Sequence, residues 1–170
     1  MTLSTTSWIV SALPFTVGLV LPPIASKALW LPFDWKPSCQ ESKLCRKRMP
    51  ASPPPIVFWI MWSLLYALLG ITWAWARESQ MDDAQLYDIL FGVLIAIMFL
   101  WTIRYSTGQH MKESILTLYG NFLYILCIWS VLLVKQNYAA ITFTPLVAWF
   151  IFALQLSIAE TNFYLPSASS

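Results

Sequence analysis

The residues of this chain best suited to bind a ligand are large aromatic side chains spaced like one face of a helix. Phe58, Trp62 and Tyr66 recur at a spacing of four, and Leu69 and Trp73 continue the same face. Ligand pockets are built mostly from apolar and aromatic groups with few polar ones. The stripe therefore predicts a site for a planar apolar molecule. The alternative is that these rings only pack helix against helix.

No comparable pattern indicates catalysis or metal binding. The one histidine, His110, has no second histidine or carboxylate cluster beside it in the sequence. The spacing of Cys39 and Cys45 is not that of a zinc site, and Cys127 falls in an apolar run, which predicts a small buried side chain. There is no nucleophile paired with a base and no phosphate-binding loop. We therefore expect a binding protein with no catalytic residues and no metal, and keep an enzyme as the alternative.

The composition is that of a protein that lives in a bilayer. Of 170 residues, 58% are hydrophobic and 11% are charged, whereas a soluble domain carries about 25% charged residues. The mean hydropathy is +0.63. The formal net charge of +2 gives no electrostatic basis for a nucleic-acid partner. The lipid bilayer is therefore the expected surrounding of the chain.

Five apolar stretches are each long enough to cross that bilayer. They cover approximately residues 8–25, 56–76, 86–103, 115–134 and 140–159. About 30 Å of hydrocarbon needs roughly 20 residues of helix. Backbone polar groups in lipid must be satisfied internally, and barrel strands would be half this length. The sequence predicts an all-α integral membrane bundle of five transmembrane helices, with residues 1–170 as a single domain.

The loops predict the neighbours and the orientation of the spans. The later links are short, so consecutive helices should be antiparallel neighbours. Residues 27–55 instead form a long polar loop with six of the ten Lys and Arg residues. This loop, the third loop and the C-terminus share a side that carries eight of those ten residues. Because positive charge concentrates in cytoplasmic loops, we expect that side to face the cytosol.

The segment that carries the aromatic stripe resembles the signature of the TspO/MBR family, the translocator proteins. The second helix of that family reads P-P-x-x-V-F-x-x-x-W-x-x-L-Y-x-x-x-G. This chain matches it in register at Pro53, Pro54, Val57, Phe58, Trp62, Leu65, Tyr66 and Gly70. The fifth helix of the family reads P-Y-L-x-W-x-x-F-A-x-x-L-N. The matches there are Pro145, Trp149, Phe152, Ala153 and Leu156. With the five spans and the long first loop, the resemblance covers essentially the whole chain.

The chain departs from the family pattern at several polar positions. Leu146 and Ser157 replace a Tyr and an Asn in the fifth helix. In the third helix Leu94 and Met98 stand where the family has two amides, and only Trp101 is kept. The Trp-Tyr pair of the first loop is missing, as is the sterol-recognition pattern of mammalian members. The absence of the sterol-recognition pattern lowers the expectation of a sterol ligand.

The resemblance implies a cavity near the long loop that holds a hydrophobic small molecule. Family members bind porphyrins such as protoporphyrin IX, sterols and benzodiazepine-type drugs, and often form homodimers. The expected ligand is thus a tetrapyrrole (protoporphyrin IX or haem) or a sterol, and no cofactor is obligatory. The expected membrane is the mitochondrial outer membrane in a eukaryote, or an envelope membrane elsewhere. Carried over residue by residue, the site consists of Trp62, Tyr66, Trp149 and Ala153, with Trp101 nearby and Phe58 and Phe152 as further members.

Two other functions stay open: an enzyme that degrades bound porphyrin with light and oxygen, and a structural membrane protein without a ligand. Some single residues have simpler predicted roles. Gln155 and Ser157 are the polar groups that we expect inside the fifth helix. Asp88 lies near the end of a span, where a charge reaches the interface easily. Gly92 and Ala96 have the small-x-x-x-small spacing of a helix contact or a dimer face.

Overall fold

The computed structural model of the chain describes residues 5–28, 55–107 and 111–164, and every regular element in these ranges is helical. The predicted long loop of residues 27–55 lies almost entirely outside them. The helices are α1 (Thr5–Phe15), α2 (Leu21–Ala28), α3 (Pro55–Ser79), α4 (Ala84–Thr107), α5 (Met111–Val134) and α6 (Ala139–Tyr164). A π-helical turn, Thr16–Val20, joins α1 to α2.

These helices confirm the predicted all-α membrane bundle. In the described part of the chain, five helices are long and apolar enough to cross a membrane, and they cover 8–28, 56–79, 81–104, 115–134 and 139–158. The first of them consists of α1, the π turn and α2. We call the end where α2 stops and α3 starts the long-loop side. The opposite end, with the links at residues 80–83 and 135–138, is the short-link side.

Proline shapes the first span. Pro14 lies inside α1 and lacks the backbone N–H that would continue the series of helical hydrogen bonds. The π turn begins two residues later, and local π adjustments can re-satisfy the backbone groups that a proline frees in a membrane helix. The hydroxyl of Thr16 donates to the carbonyl oxygens of Ala12 and Leu13, at 3.1 and 3.0 Å. The Thr16 hydroxyl is thus paired with the backbone of its own helix, as a polar group in lipid must be.

Paired polar groups connect α3 with α4 on the short-link side. The indole N–H of Trp73 donates to Asp88 Oδ1 at 2.9 Å, and the Arg77 guanidinium lies 3.4 Å from Asp88 Oδ2. Asp88, which the sequence places near the end of a span, is held between a cation and an indole on the neighbouring helix, with 34% of its side chain exposed. A carboxylate in a membrane bundle is tolerable when it is paired in this way.

The α5–α6 link is attached to the same end. Asn137 Oδ1 accepts the N–H of Ala139 at 2.9 Å, which caps α6, and Asn137 Nδ2 donates to Ser79 Oγ at 2.8 Å. Lys135 Nζ donates to Asp83 Oδ2 at 2.7 Å. This hydrogen bond and the charge of Asp83 raise the pKa of the Lys135 ammonium above 10.5. The bridge is therefore present at neutral pH and is lost only as strong alkali passes the raised pKa.

Glycine allows α1 and α3 to approach closely. A Cβ atom at Gly70 would overlap the carbonyl oxygen of Ser11, a backbone atom that cannot rotate away. By contrast, a Cβ at Gly92 would meet nothing within 4 Å, and Ala96 faces the outside of the bundle. Within the described residues, the small residues of α4 therefore do not form a helix contact. The close approach expected of small residues occurs at Gly70 instead.

We expect Gly70→Ala to lower the free energy of unfolding by about 1–3 kcal/mol, because the added methyl forces α1 away from α3. Gly120→Ala is the matched control, since Gly120 lies on the exposed side of α5 with nothing within 4 Å of its Cβ position. Thermal unfolding in detergent micelles, followed by circular dichroism, measures both variants. Equal melting temperatures for the two alanine variants would contradict the close approach.

Candidate ligand-binding site

Aromatic rings from α3, α4 and α6 meet around Trp62, between the middle of the bundle and its long-loop side. The Trp62 ring centroid lies 5.3 Å from that of Trp101 on α4 and 6.3 Å from that of Trp149 on α6. Tyr66, one turn along α3, is 5.8 Å away. The predicted stripe of α3 thus faces the predicted stripe of α6, and Trp101 completes the group.

Two further rings extend the cluster along α3 and α6. Phe58 packs edge-on against Trp149 with centroids 5.6 Å apart, and Phe152 lies 5.2 Å from Trp149. Ala153 is buried beside them on α6. The structure therefore brings all seven predicted site residues into one region. Its side chains are apolar or aromatic, the composition of a small-molecule pocket.

Phe150 belongs to the cluster although no sequence pattern indicated it. Its ring is completely buried and meets the Trp62 ring edge-on at 5.8 Å. In the matched family pattern its position is variable, and it is off the spacing that connects Trp149 with Phe152 and Ala153. The missed signal was the spacing of four from Leu146, which is also buried. Together these residues define the inner face of α6.

Tyr66 is positioned by the π turn of the first span. A Cβ atom at Gly18 would overlap the Tyr66 ring, so the ring rests directly on the Gly18 backbone. The side chain is 2% exposed. Its hydroxyl is directed toward Thr102 on α4 but completes no hydrogen bond of standard geometry. The buried indole N–H of Trp149 also has no partner.

The cluster combines aromatic rings, which are suited to stacking on a flat molecule, with buried hydrogen-bonding atoms of Tyr66 and Trp149. The bilayer interior offers no water as a hydrogen-bond partner, so a buried polar group without a partner there is energetically costly and unusual. Among the described side chains, no group of three or more His, Cys, Asp or Glu could hold a metal ion. His110, Cys39 and Cys45 lie outside the described side chains.

Comparison with known families settles what kind of protein this is. The sequence profile of the TspO/MBR family matches residues 12–160 of the chain. The chain belongs to the TspO/MBR family. Searches of curated proteins and of solved structures gave no significant match. Family membership and the five helices make it a multi-pass integral membrane protein, and they support ligand binding or transport in general terms.

Two sequence-based expectations for this TspO/MBR chain are wrong. Gln155 faces outward from α6, whereas Ser157 is buried as expected. Cys127 is exposed on α5 and is not a buried side chain. Both errors have the same cause, because lipid-facing and core-facing surfaces of a membrane helix are equally apolar. At the positions where the family has third-helix amides, Leu94 and Met98 are fully buried, so the inner face of α4 is apolar there.

We expect Gly18→Ala in this TspO/MBR chain to displace the Tyr66 ring and lower the free energy of unfolding by about 1–3 kcal/mol. Tyr66→Ala removes the ring that the new methyl would strike. Gly18→Ala should therefore cost much less in a Tyr66→Ala background, and a double-mutant cycle of thermal unfolding measures this difference. Additive effects of the two substitutions would show that Gly18 does not support Tyr66.

Proposed function

We propose that this TspO/MBR protein is a membrane receptor or carrier that binds a planar hydrophobic molecule, with the porphyrin class first and the sterol class second. The observation that carries the proposal is the meeting of Trp62 and Trp149. They come from helices distant in the sequence, yet their rings lie 6.3 Å apart, nearly perpendicular to each other at 87°. Family membership supports a ligand-binding or transport role without naming the ligand.

A flat ligand suits this geometry because it can replace ring-on-ring contacts with stacked ones. Trp62 meets Phe150 edge-on at 87° and Trp101 at a tilt of 40°. A planar macrocycle between these rings can take offset-stacked positions, each worth about 0.5–1.5 kcal/mol beyond the apolar area that it buries. A sterol offers only aliphatic faces, so its binding would gain free energy from the burial of apolar surface but not from ring stacking. This difference is why the porphyrin class is placed first.

We also propose the setting of this activity from the resemblance and the charge pattern. The long-loop side, where the site lies, faces the cytosol, because most of the Lys and Arg residues belong to that side. The membrane is the mitochondrial outer membrane in a eukaryotic host and an envelope membrane in a bacterial one. The protein acts as a homodimer. Reporter fusions at the two termini and cross-linking in native membranes test these points.

Trp62→Ala and Trp149→Ala should each weaken the binding of protoporphyrin IX by about threefold or more, because each removes a stacking surface. Trp75→Ala is the matched control, since Trp75 is on α3 but faces outward with 46% of its surface exposed. The dissociation constant is measured from the shift of the porphyrin absorbance band in detergent-solubilised protein. Unchanged affinity in both site variants would remove the site, and no binding by the wild type would favour a structural protein without a ligand.

Light-dependent breakdown of bound porphyrin is the second candidate function, and the contacts of the Trp62 indole with those of Trp101 and Trp149 favour it. Contiguous oxidisable rings beside a pigment could take part in photochemistry. We expect the porphyrin absorbance of the complex to stay constant in the dark and in light, as for a receptor or carrier. Loss of the band only in light, and only with Trp62 and Trp149 intact, would instead assign the protein as an enzyme.

A further inference from the structure

Toward the short-link side, hydrogen bonds of buried side chains join the helices, whereas several buried polar atoms around the aromatic cluster have no hydrogen-bond partner. On the short-link side of Tyr66, the hydroxyls of Thr72 and Thr142 are 2.8 Å apart and join α3 to α6. Beside the cluster, buried atoms of Tyr66, Trp149 and Asn121 have no hydrogen-bond partner. Since lipid supplies none, these groups need a partner that enters the bundle.

Asn121 on α5 is the strongest of these cases. Its side chain is completely buried, and both the amide oxygen and the amide nitrogen lack a partner. It belongs to the inner face of α5, which continues at helical spacing through Leu118, Ile125 and Ile128, each at most 1% exposed. These three residues pack into the same core as Trp62 and Trp101. The amide therefore points into the bundle, away from lipid.

The register of the helices places Asn121 at the depth of the aromatic cluster. Trp129 on α5 bonds to Thr144 on α6, and the two helices are antiparallel. Eight residues from this bond toward the long-loop side, Asn121 on α5 is therefore level with Phe152 on α6. The Thr72–Thr142 pair gives the register of α3 and α6 in the same way. Ten residues from this pair toward the long-loop side, Trp62 on α3 is level with Phe152 on α6.

We propose that Asn121 is the polar contact that selects the ligand, by binding a neutral carbonyl, hydroxyl or N–H group on the edge of the flat molecule held by the aromatic cluster. The inference rests on the proposed function and adds to it what chemistry the ligand must carry. An amide side chain donates and accepts at once, so it can pair with any of these groups. A neutral group fits because Trp62, Asn121 and Phe152, at this depth, carry no charge that would balance an ion.

Two porphyrins with different rim groups test whether Asn121 makes a polar contact with the ligand or only affects the shape of the site. Etioporphyrin carries only alkyl groups at its rim, whereas protoporphyrin IX dimethyl ester adds neutral carbonyl groups. In Asn121→Leu, the affinity for the ester should fall by about five- to tenfold, and the affinity for etioporphyrin should stay within about twofold of the wild type. Gln155→Leu is the matched control, because it removes an amide that faces outward from α6. It should bind both porphyrins like the wild type.

The unliganded protein provides a second measurement. Because Asn121 has no partner there, Asn121→Leu should raise the melting temperature of the empty protein while it weakens the binding of the ester. A lower melting temperature would mean that the amide is structural, and equal losses for both porphyrins would mean that it only shapes the cavity. Either result overturns the inference. If the wild type binds neither porphyrin, the proposed function itself fails, which is recognisable because the Gln155→Leu control then binds nothing either.

Discussion

The structure depends on one constraint, that polar groups inside a bilayer must find their partners within the protein. The short-link side obeys it: Asp88 is held by Trp73 and Arg77, and the side chain of Asn137 both caps α6 and reaches Ser79. Around the aromatic cluster, Tyr66, Asn121 and Trp149 depart from it. Within one bundle, the described residues thus form hydrogen-bonded contacts between helices on the short-link side and leave buried polar atoms without a partner around the aromatic cluster.

The parts of the fold that could be predicted are those that bilayer thickness and aromatic spacing determine. Span length set the five helices, and the spacing of Trp62 and Tyr66 set a face that meets Trp149 in the structure. What could not be predicted was the orientation of residues outside such a stripe. Gln155 faces out and Phe150 faces in, because lipid and core are equally apolar and the helix carries no polar face to distinguish them.

Gly18 and Gly70 explain how the first span packs against α3 and the Tyr66 ring, although none of its described rings belongs to the aromatic cluster. Gly70, a position of the family signature, brings the backbone of α1 against α3, and Gly18 in the π turn lies directly under the Tyr66 ring. A regular helix with larger side chains at these positions would push α3 outward. The π turn that follows Pro14 therefore forms part of the surface against which the Tyr66 ring packs.

The location of the cluster follows from how helices associate in lipid. Apolar packing between membrane helices gains little from the hydrophobic effect, because lipid tails are as apolar as the side chains. Rings such as Trp62 and Trp149 can therefore exchange contacts with each other for contacts with a flat ligand at a small net cost. Hydrogen-bonded pairs such as Trp73 with Asp88 cannot make that exchange. On the short-link side, hydrogen bonds therefore fix the packing of the helices, whereas around Trp62 the packing consists of ring contacts.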